Sequence, residues 1–469
     1  MKNKFLTTVA ALTLLTLGSC SLFEVEDVPD LNNPTVESVL NNASAAQVSQ
    51  LAVGVQGAMR NGYYDMSWVG GSVGREIVVF NATDNRYYTE LQGQVGIDPG
   101  GIFYPWYNAF NATRRRAELF YLSAQGSNEL SAEQKKGCEG FAKTVQAWTM
   151  LNLLNMMGEV GIRTEFSDLF TSDNSNDLLN PGPFKSYEES LAYLKKLNDD
   201  AATALDGAGT AFSFTVTSGW AGFNTPANFK KFNRALAARI AMYQKDWAGM
   251  NTALAASFLD LKKSTVGVGP RFTYSTTAGD LTNQFFQGKN GNNRPIAVQN
   301  KSVPDAEAGD TRVFGTAIRD GGTSKIFKRT APVGQGGYAP SEYEHQQYPL
   351  NTSPVSIIRN EELILMHAEA KAQTNDLTAA VAALDTIRMV HGLKSLAVAK
   401  PTVPGNKDEI IKEVLNQRRY SLFMEGSHRW FDMRRYNRLT ELPLDLTTHK
   451  VWANFPKPQA EVDWDNRPR

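Results

Sequence analysis

Residues Arg359–His391 read RNEELILMHAEAKAQTNDLTAAVAALDTIRMVH, a 33-residue stretch with two apolar-periodic segments parted by Asn375-Asp376. The pattern predicts a helix over Arg359–Thr374, a turn at Asn375-Asp376 and a second helix over Thr378–Val390. Ala368, Ala370, Ala372, Ala380 and Ala383 are small enough to let the two helices approach closely. The pair Phe229–Gln244 and Trp247–Phe258, joined at Lys245-Asp246, has similar dimensions.

Two further helices are expected downstream, over Lys407–Met424 and Ser427–Arg438. They enclose NQRRYSLFMEGSHRWFDMRRYNR (Asn416–Arg438). There Ile411, Leu415, Arg418, Leu422 and Glu425 step by four, three, four and three, which places them on one helical face. Charges on an apolar face need partners. Arg418 and Glu425 are therefore expected to join a buried network with Arg429, Asp432 or Glu369 that ties the last helices to the hairpin. Upstream, helices are expected over Ser44–Met59, Phe103–Ser123, Ser131–Met157 and Tyr187–Leu205. Ser131 with Gln134 forms a capping box. The stretches NGYYDMSWVGGSVG (61–74), Asn81–Gly101 and Asp168–Pro183 read as loops. Thr265–Pro354, rich in Gly, Asn and Pro, reads as an inserted, mostly irregular subdomain with short β runs at Arg271–Tyr274 and Pro295–Gln299. The 359–391 unit resembles a tetratricopeptide repeat. The expected fold is all-α: a tetratricopeptide-like helical repeat scaffold with a large irregular, loop-rich insertion.

At the N-terminus, Lys2 and Lys4 precede an apolar run from Phe5 to Leu17, the layout of a secretory signal peptide. Leu17-Gly18-Ser19-Cys20 matches the bacterial lipobox, which implies cleavage before Cys20 and its acylation. The expected organisation is a signal peptide (1–19), a lipid-anchored acidic tether (20–43), an N-terminal helical region (44–264), the insertion (265–354) and a C-terminal helical region (355–469). With Cys20 lipidated only Cys138 remains, a single thiol in a helical pattern that reads as buried and inert. Lys+Arg and Asp+Glu each number 48, and no basic stripe stands out. Bulk attraction to nucleic acid is not supported.

Glu425 and His428 stand three apart like half of a Glu-x-x-His pair, and Glu342 and His345 repeat the spacing. A di-iron bundle needs such motifs on long inward-facing helices. Gly426 interrupts the first, and the prolines and glycines around the second exclude a long helix, so no metal site is expected. Asp173–Asp177 imitates a calcium loop, but Leu178 replaces the required Gly and Phe184 the required Glu. Gly334–Ala339 fits G-x-G-x-x-A, yet Pro340 follows at once and no helix opens there. No phosphate-binding loop, nucleophile elbow or triad context occurs, and no cofactor is expected. The aromatic residues are more informative. Tyr63, Tyr64, Trp68, Tyr87, Tyr88, Phe272, Tyr274, Phe285, Phe286, Tyr338 and Tyr343 concentrate in stretches read as loops. There they can offer flat apolar faces to sugars or to peptide side chains, beside Asn81, Asp84, Asn85 and Arg86.

The chain resembles the SusD/RagB-like outer-membrane lipoproteins of Bacteroidetes-type bacteria. The likeness is carried by the lipobox and DLNNPT (Asp30–Thr35), by Trp106-Tyr107-Asn108 with Arg114–Arg116, and by RALAARIAMYQKDW (Arg234–Trp247). It continues through Asp310-Thr311-Arg312, PVSIIRNEELILMHAEA (Pro354–Ala370), QRRYSLFMEGSHRWFDMRR (Gln417–Arg435) and FPKPQAEVDWDN (Phe455–Asn466). The resemblance implies a cell-surface lipoprotein, anchored in the outer membrane, that binds an oligosaccharide or a peptide. It further implies delivery to a SusC-like TonB-dependent transporter, with binding and no catalysis. Residues expected to meet the ligand are Trp68, Arg86, Tyr87, Tyr88, Tyr274 and Tyr338. The competing expectations are a peptide-binding member of the same family, a surface glycan hydrolase with carboxylates among the 48 acids, and a repeat scaffold that binds only protein.

Overall fold

The computed structural model describes residues 39–166, 181–335, 338 and 340–467. Cys20, the signal segment, most of the tether and the Asp173–Asp177 stretch lie outside them. Among the described residues the α-helices of seven or more residues are α1 (Ala45–Ala58), α2 (Tyr63–Val73), α3 (Pro105–Gly126), α4 (Ala132–Met157), α5 (Tyr187–Asp206), α6 (Pro226–Gln244), α7 (Trp247–Ala255), α8 (Asn360–Gln373), α9 (Leu377–Val390), α10 (Lys407–Ser421), α11 (His428–Arg435) and α12 (Gln459–Asp465). Ser44 caps α1 and Ser131 caps α4, each in a reciprocal capping box with the glutamine three residues on. No helix among the described residues is long and apolar enough to cross a membrane.

Antiparallel neighbours stack in sequence, α3 on α4, α4 on α5, α5 on α6 and α6 on α7, and the α8–α9 hairpin meets α10. The hairpin turns through Asn375 in the left-handed region, φ 66°, which asparagine tolerates better than most residues. Helix α8 is buried on nearly all sides. Leu363, Met366 and Ala370 face the main core, while Ile364, Leu365, Ala368 and Ala372 face a second core with Ala380, Ala383 and Ile387 of α9 and Ile410 and Val414 of α10. The fold is thus a tetratricopeptide-like helical scaffold, and four of the five hairpin alanines, Ala368, Ala372, Ala380 and Ala383, are buried in the second core. Cys138 is buried in α4 and free, and burial pushes its thiol up to about 11.

Residues 61–74, expected as a loop, form helix α2. Its glycines serve close packing. A Cβ on Gly70 would lie 2.3 Å from Ser427 Oγ, and one on Gly74 would lie 2.7 Å from Trp430 Cβ. The 265–354 stretch is also more ordered than expected. Strands β1 (Ile77–Val79), β2 (Ile296–Val298), β3 (Ile326–Val333) and β4 (Ser341–His345) form one antiparallel sheet in the order β1-β2-β4-β3. The register pairs Ile77 with Val298 and Val79 with Ile296, so the segment after α2 is an integral edge of the sheet.

The expected single network around Arg418 and Glu425 is two networks. Helix α10 ends at Ser421, and Met424, Gly426 and Ser427 turn the chain through positive φ. Glu425 therefore leaves the helical face that carries Arg418. Arg418 Nε donates to Asp432 (2.6 Å), Arg435 Nε donates to the other oxygen of Asp432 (2.9 Å), and Arg435 Nη2 donates to Glu369 of α8 (2.8 Å). Glu425 instead accepts from Arg359 Nε (2.8 Å) and Gln347 Nε2 (2.8 Å) and pairs with Lys325 (3.4 Å). Arg429 joins neither; it interacts with Arg419 and Glu76. The tie between the last helices and the hairpin runs through Asp432, Arg435 and Glu369.

Candidate ligand-binding face

Helix α2 is aimed by its glycines against α11, which turns Tyr64, Asp65 and Trp68 toward the loops. The short helix Arg86–Thr89 sets Tyr87 beside them. Trp68 and Tyr87 stack with ring centroids 5.4 Å apart and planes 15° from parallel, and both meet Phe103 edge-on. The Arg294 guanidinium lies 5.5 Å from each of the Trp68 and Tyr87 rings. Arg294 also donates to the Tyr64 hydroxyl (3.0 Å) and, at 3.4 Å, to that of Tyr87. The Trp68 indole N–H donates to Asp65 (3.1 Å). Trp68 is buried beneath, at 3% exposure, while Tyr87, Asp65 and Arg294 are half-buried at the rim. Burial raises Asp65 above the usual carboxylate range, against the Trp68 hydrogen bond and the Arg294 charge. Burial likewise raises the Tyr64 phenol, which therefore stays protonated and able to donate.

The remaining expected residues lie elsewhere. Tyr88 points away from its neighbour Tyr87 into a separate buried cluster with Val78, Phe80, Ala297 and Tyr338. Tyr338 meets the Phe80 ring edge-on, stacks on His449 and donates to Asp445. Arg86 is held by Asp84, with Nη2 at 2.7 Å. Tyr274 lies against the core near Arg60, whose guanidinium is 5.7 Å from its ring and pairs with Asp280. Of the six, the structure brings Trp68 and Tyr87 together on this face and Tyr88 and Tyr338 together in the buried cluster.

Arg294 and Asp65 were not singled out from the sequence. Asp65 stands three residues before Trp68 in a helix, a spacing that would have paired them had α2 been recognised. Arg294 carries no local signal. It reaches the site because β2 pairs with β1. Its φ of 52° places a non-glycine residue in the left-handed region just before Pro295, a conformation that persists only where surrounding contacts enforce it.

The arrangement offers stacking faces, phenol and guanidinium donors and one carboxylate acceptor, the equipment of a binding surface. Among the described residues no group of three or more His, Cys, Asp or Glu is placed to hold a metal ion. Glu425 is committed to Arg359 and Lys325, and His428 lies against Arg418. Glu342 and His345 fall on a strand, where Glu342 is exposed and His345 buried.

Residues 273–469 match the model of the SusD family. No curated protein is similar enough to match. Among solved structures, a SusD superfamily protein from Bacteroides vulgatus is 15% identical at a TM-score of 0.64, covering 90% of this chain and 97% of that one. Surface glycan-binding protein A from Bacteroides uniformis is 16% identical at a TM-score of 0.62, covering 88% and 98%. Surface glycan-binding protein A from Bacteroides thetaiotaomicron, solved in complex with laminarihexaose, is 13% identical at a TM-score of 0.63, covering 90% and 98%. At these identities the likeness is one of fold, and it runs through nearly the whole chain.

Proposed function

From a chain that carries the SusD family's signature over residues 273–469 on a SusD-type fold, we propose a cell-surface lipoprotein that binds a glycan, an oligosaccharide in particular. It hands that ligand to a partner TonB-dependent transporter in the outer membrane. The observation that carries the binding role is the Trp68–Tyr87 stack capped by Arg294 and flanked by Tyr64 and Asp65. A sugar ring has an apolar C–H face that suits an aromatic platform, and hydroxyls that suit phenol, guanidinium and carboxylate. The laminarihexaose complex of a similarly folded protein supports the same ligand class. Cys20, in its lipobox context, is the proposed anchor.

The test is a panel of oligosaccharides and peptides added to the purified full chain, read by melting temperature and by product analysis. A ligand present at about 100 times its Kd adds about 2.7 kcal/mol of stability. An oligosaccharide is expected to raise the melting temperature without being cleaved, and Tyr87→Ala is expected to abolish the rise. Protection by peptides alone would move the reading to a peptide-binding protein, and release of shortened sugars would make it a hydrolase. Co-isolation of the tagged lipoprotein with an outer-membrane barrel checks the partner.

A further inference from the structure

The loop Phe286–Arg294, FQGKNGNNR, carries Lys289 and Arg294, and no Asp or Glu occurs anywhere from Leu281 to Pro304. Two other cations support it from beneath. Arg329 donates to the Gly291 carbonyl (3.2 Å) and to Asn292 Oδ1 (2.9 Å), and Arg319 donates to the Gln287 carbonyl. Two of these four charges are neutralised, Lys289 by Asp320 (2.7 Å) and Arg329 by Glu344 (2.5 Å). The other two have no carboxylate partner among the described residues. Arg294 lies over Trp68 and Tyr87, and Arg319 lies 5.4 Å from the ring of Phe286, itself 39% exposed.

The loop thus has an unpaired guanidinium at each end, each set on aromatic rings. Stacking on a ring removes part of a guanidinium's water, and the N–H groups that are engaged meet only neutral oxygens, the Tyr64 and Tyr87 hydroxyls for Arg294 and the Gln287 carbonyl for Arg319, so neither charge is compensated. A guanidinium in that state attracts the paired oxygens of a carboxylate or sulfate. A neutral glycan needs no such charge, since phenols and amides can satisfy its hydroxyls. The nearest rim acid, Asp65, is engaged by the Trp68 indole and forms no ion pair with Arg294.

We propose that the ligand is an anionic glycan, bearing uronate carboxylates or sulfate esters, which Arg294 and Arg319 bind along the Phe286–Arg294 loop. This rests on the glycan reading above and adds the sign of the ligand's charge. The test is isothermal titration of the full chain with oligogalacturonate, its methyl ester of equal length, a sulfated chondroitin oligosaccharide and laminarihexaose. The methyl ester keeps the sugar skeleton and removes the charge. An acidic ligand is expected to bind at least about tenfold more tightly than either neutral one, and to weaken as salt rises. Oligogalacturonate and the chondroitin oligosaccharide separate carboxylate from sulfate. Arg294→Gln should bring the acid and its methyl ester level, and Arg319→Gln should narrow the gap. Arg294→Lys, which keeps the charge without the planar fork, should fall between. Asp65→Asn should tighten the acidic ligand by removing a like charge. Neutral ligands bound as well as acidic ones, with a ratio unmoved by Arg294→Gln, would overturn the charge assignment and leave the glycan reading standing. Failure of all four, with peptides bound, would overturn both.

Discussion

Glu425 has Arg359, Lys325 and Gln347 around it, while Arg418 is satisfied by Asp432. Removing one member of a buried pair strands the other charge, at a cost of about 3–5 kcal/mol. Glu425→Ala should therefore destabilise the protein by that amount in urea unfolding and leave its metal content unchanged. Iron or zinc lost with the mutation would refute the structural role. A second residue sets a pH response. His345 is fully buried, neither ring nitrogen has a partner among the described residues, and burial together with the Arg319 charge pushes it down to about 4. In the unfolded chain a histidine takes its proton near pH 6.5. Between about pH 6.5 and 4 the unfolded state holds more protons, so stability falls as pH falls, by on the order of 3 kcal/mol in total. His345→Leu should flatten the melting temperature across that window. An unchanged slope would assign the acid sensitivity elsewhere.

At the scale of elements, α2 and α11 approach so closely that a Cβ on Gly70 would meet both Oγ and Cβ of Ser427. In an exposed helix Gly→Ala stabilises by about 1 kcal/mol. Here overpacking of roughly 1–3 kcal/mol opposes it, and Gly70→Ala should cost a net of up to roughly 2 kcal/mol. Ser427 has φ 64°, so Ser427→Gly removes the obstacle and also suits the backbone. The double mutant should recover most of the loss, and a thermodynamic cycle showing additivity would disprove the contact. The same glycines explain why α2 was misread as a loop. Gly70, Gly71 and Gly74 look like punctuation locally, and the purpose of Gly70 and Gly74 lies in a partner more than 350 residues away in the chain. Helices α1, α4, α8 and α9 were legible because their evidence is local: Ser44 and Ser131 caps, apolar periodicity, and Asn375 at the turn. The break at Gly426 was legible as well, but the earlier end of α10 at Ser421 was not, since Met424 and Ser427, neither glycine nor asparagine, gave no local sign of a left-handed φ.

The whole molecule divides its labour between a helical frame and a face assembled from distant segments. Tyr64 to Tyr87 come from one end of the chain, Arg294 from its middle, and the β1–β2 pairing brings them together. Sequence periodicity reports what one element does, so it found the frame. It could rank aromatic residues by abundance, but it could not tell that Tyr87 turns toward Trp68 while Tyr88 turns into a buried cluster with Phe80. That division predicts separable effects. Trp68 lies buried under the face and packs on Phe103, so Trp68→Ala should lose about 3–5 kcal/mol of stability and binding with it. Tyr87 is half-buried, and its ring is backed by Trp68 and Phe103. Tyr87→Ala should lower the melting temperature of the free protein far less than Trp68→Ala does. It should nonetheless erase the ligand-dependent rise, because the platform is gone while the frame remains. Melting curves of both variants with and without saturating oligosaccharide decide it. Undiminished protection of the Tyr87 variant would place the glycan on another part of the surface.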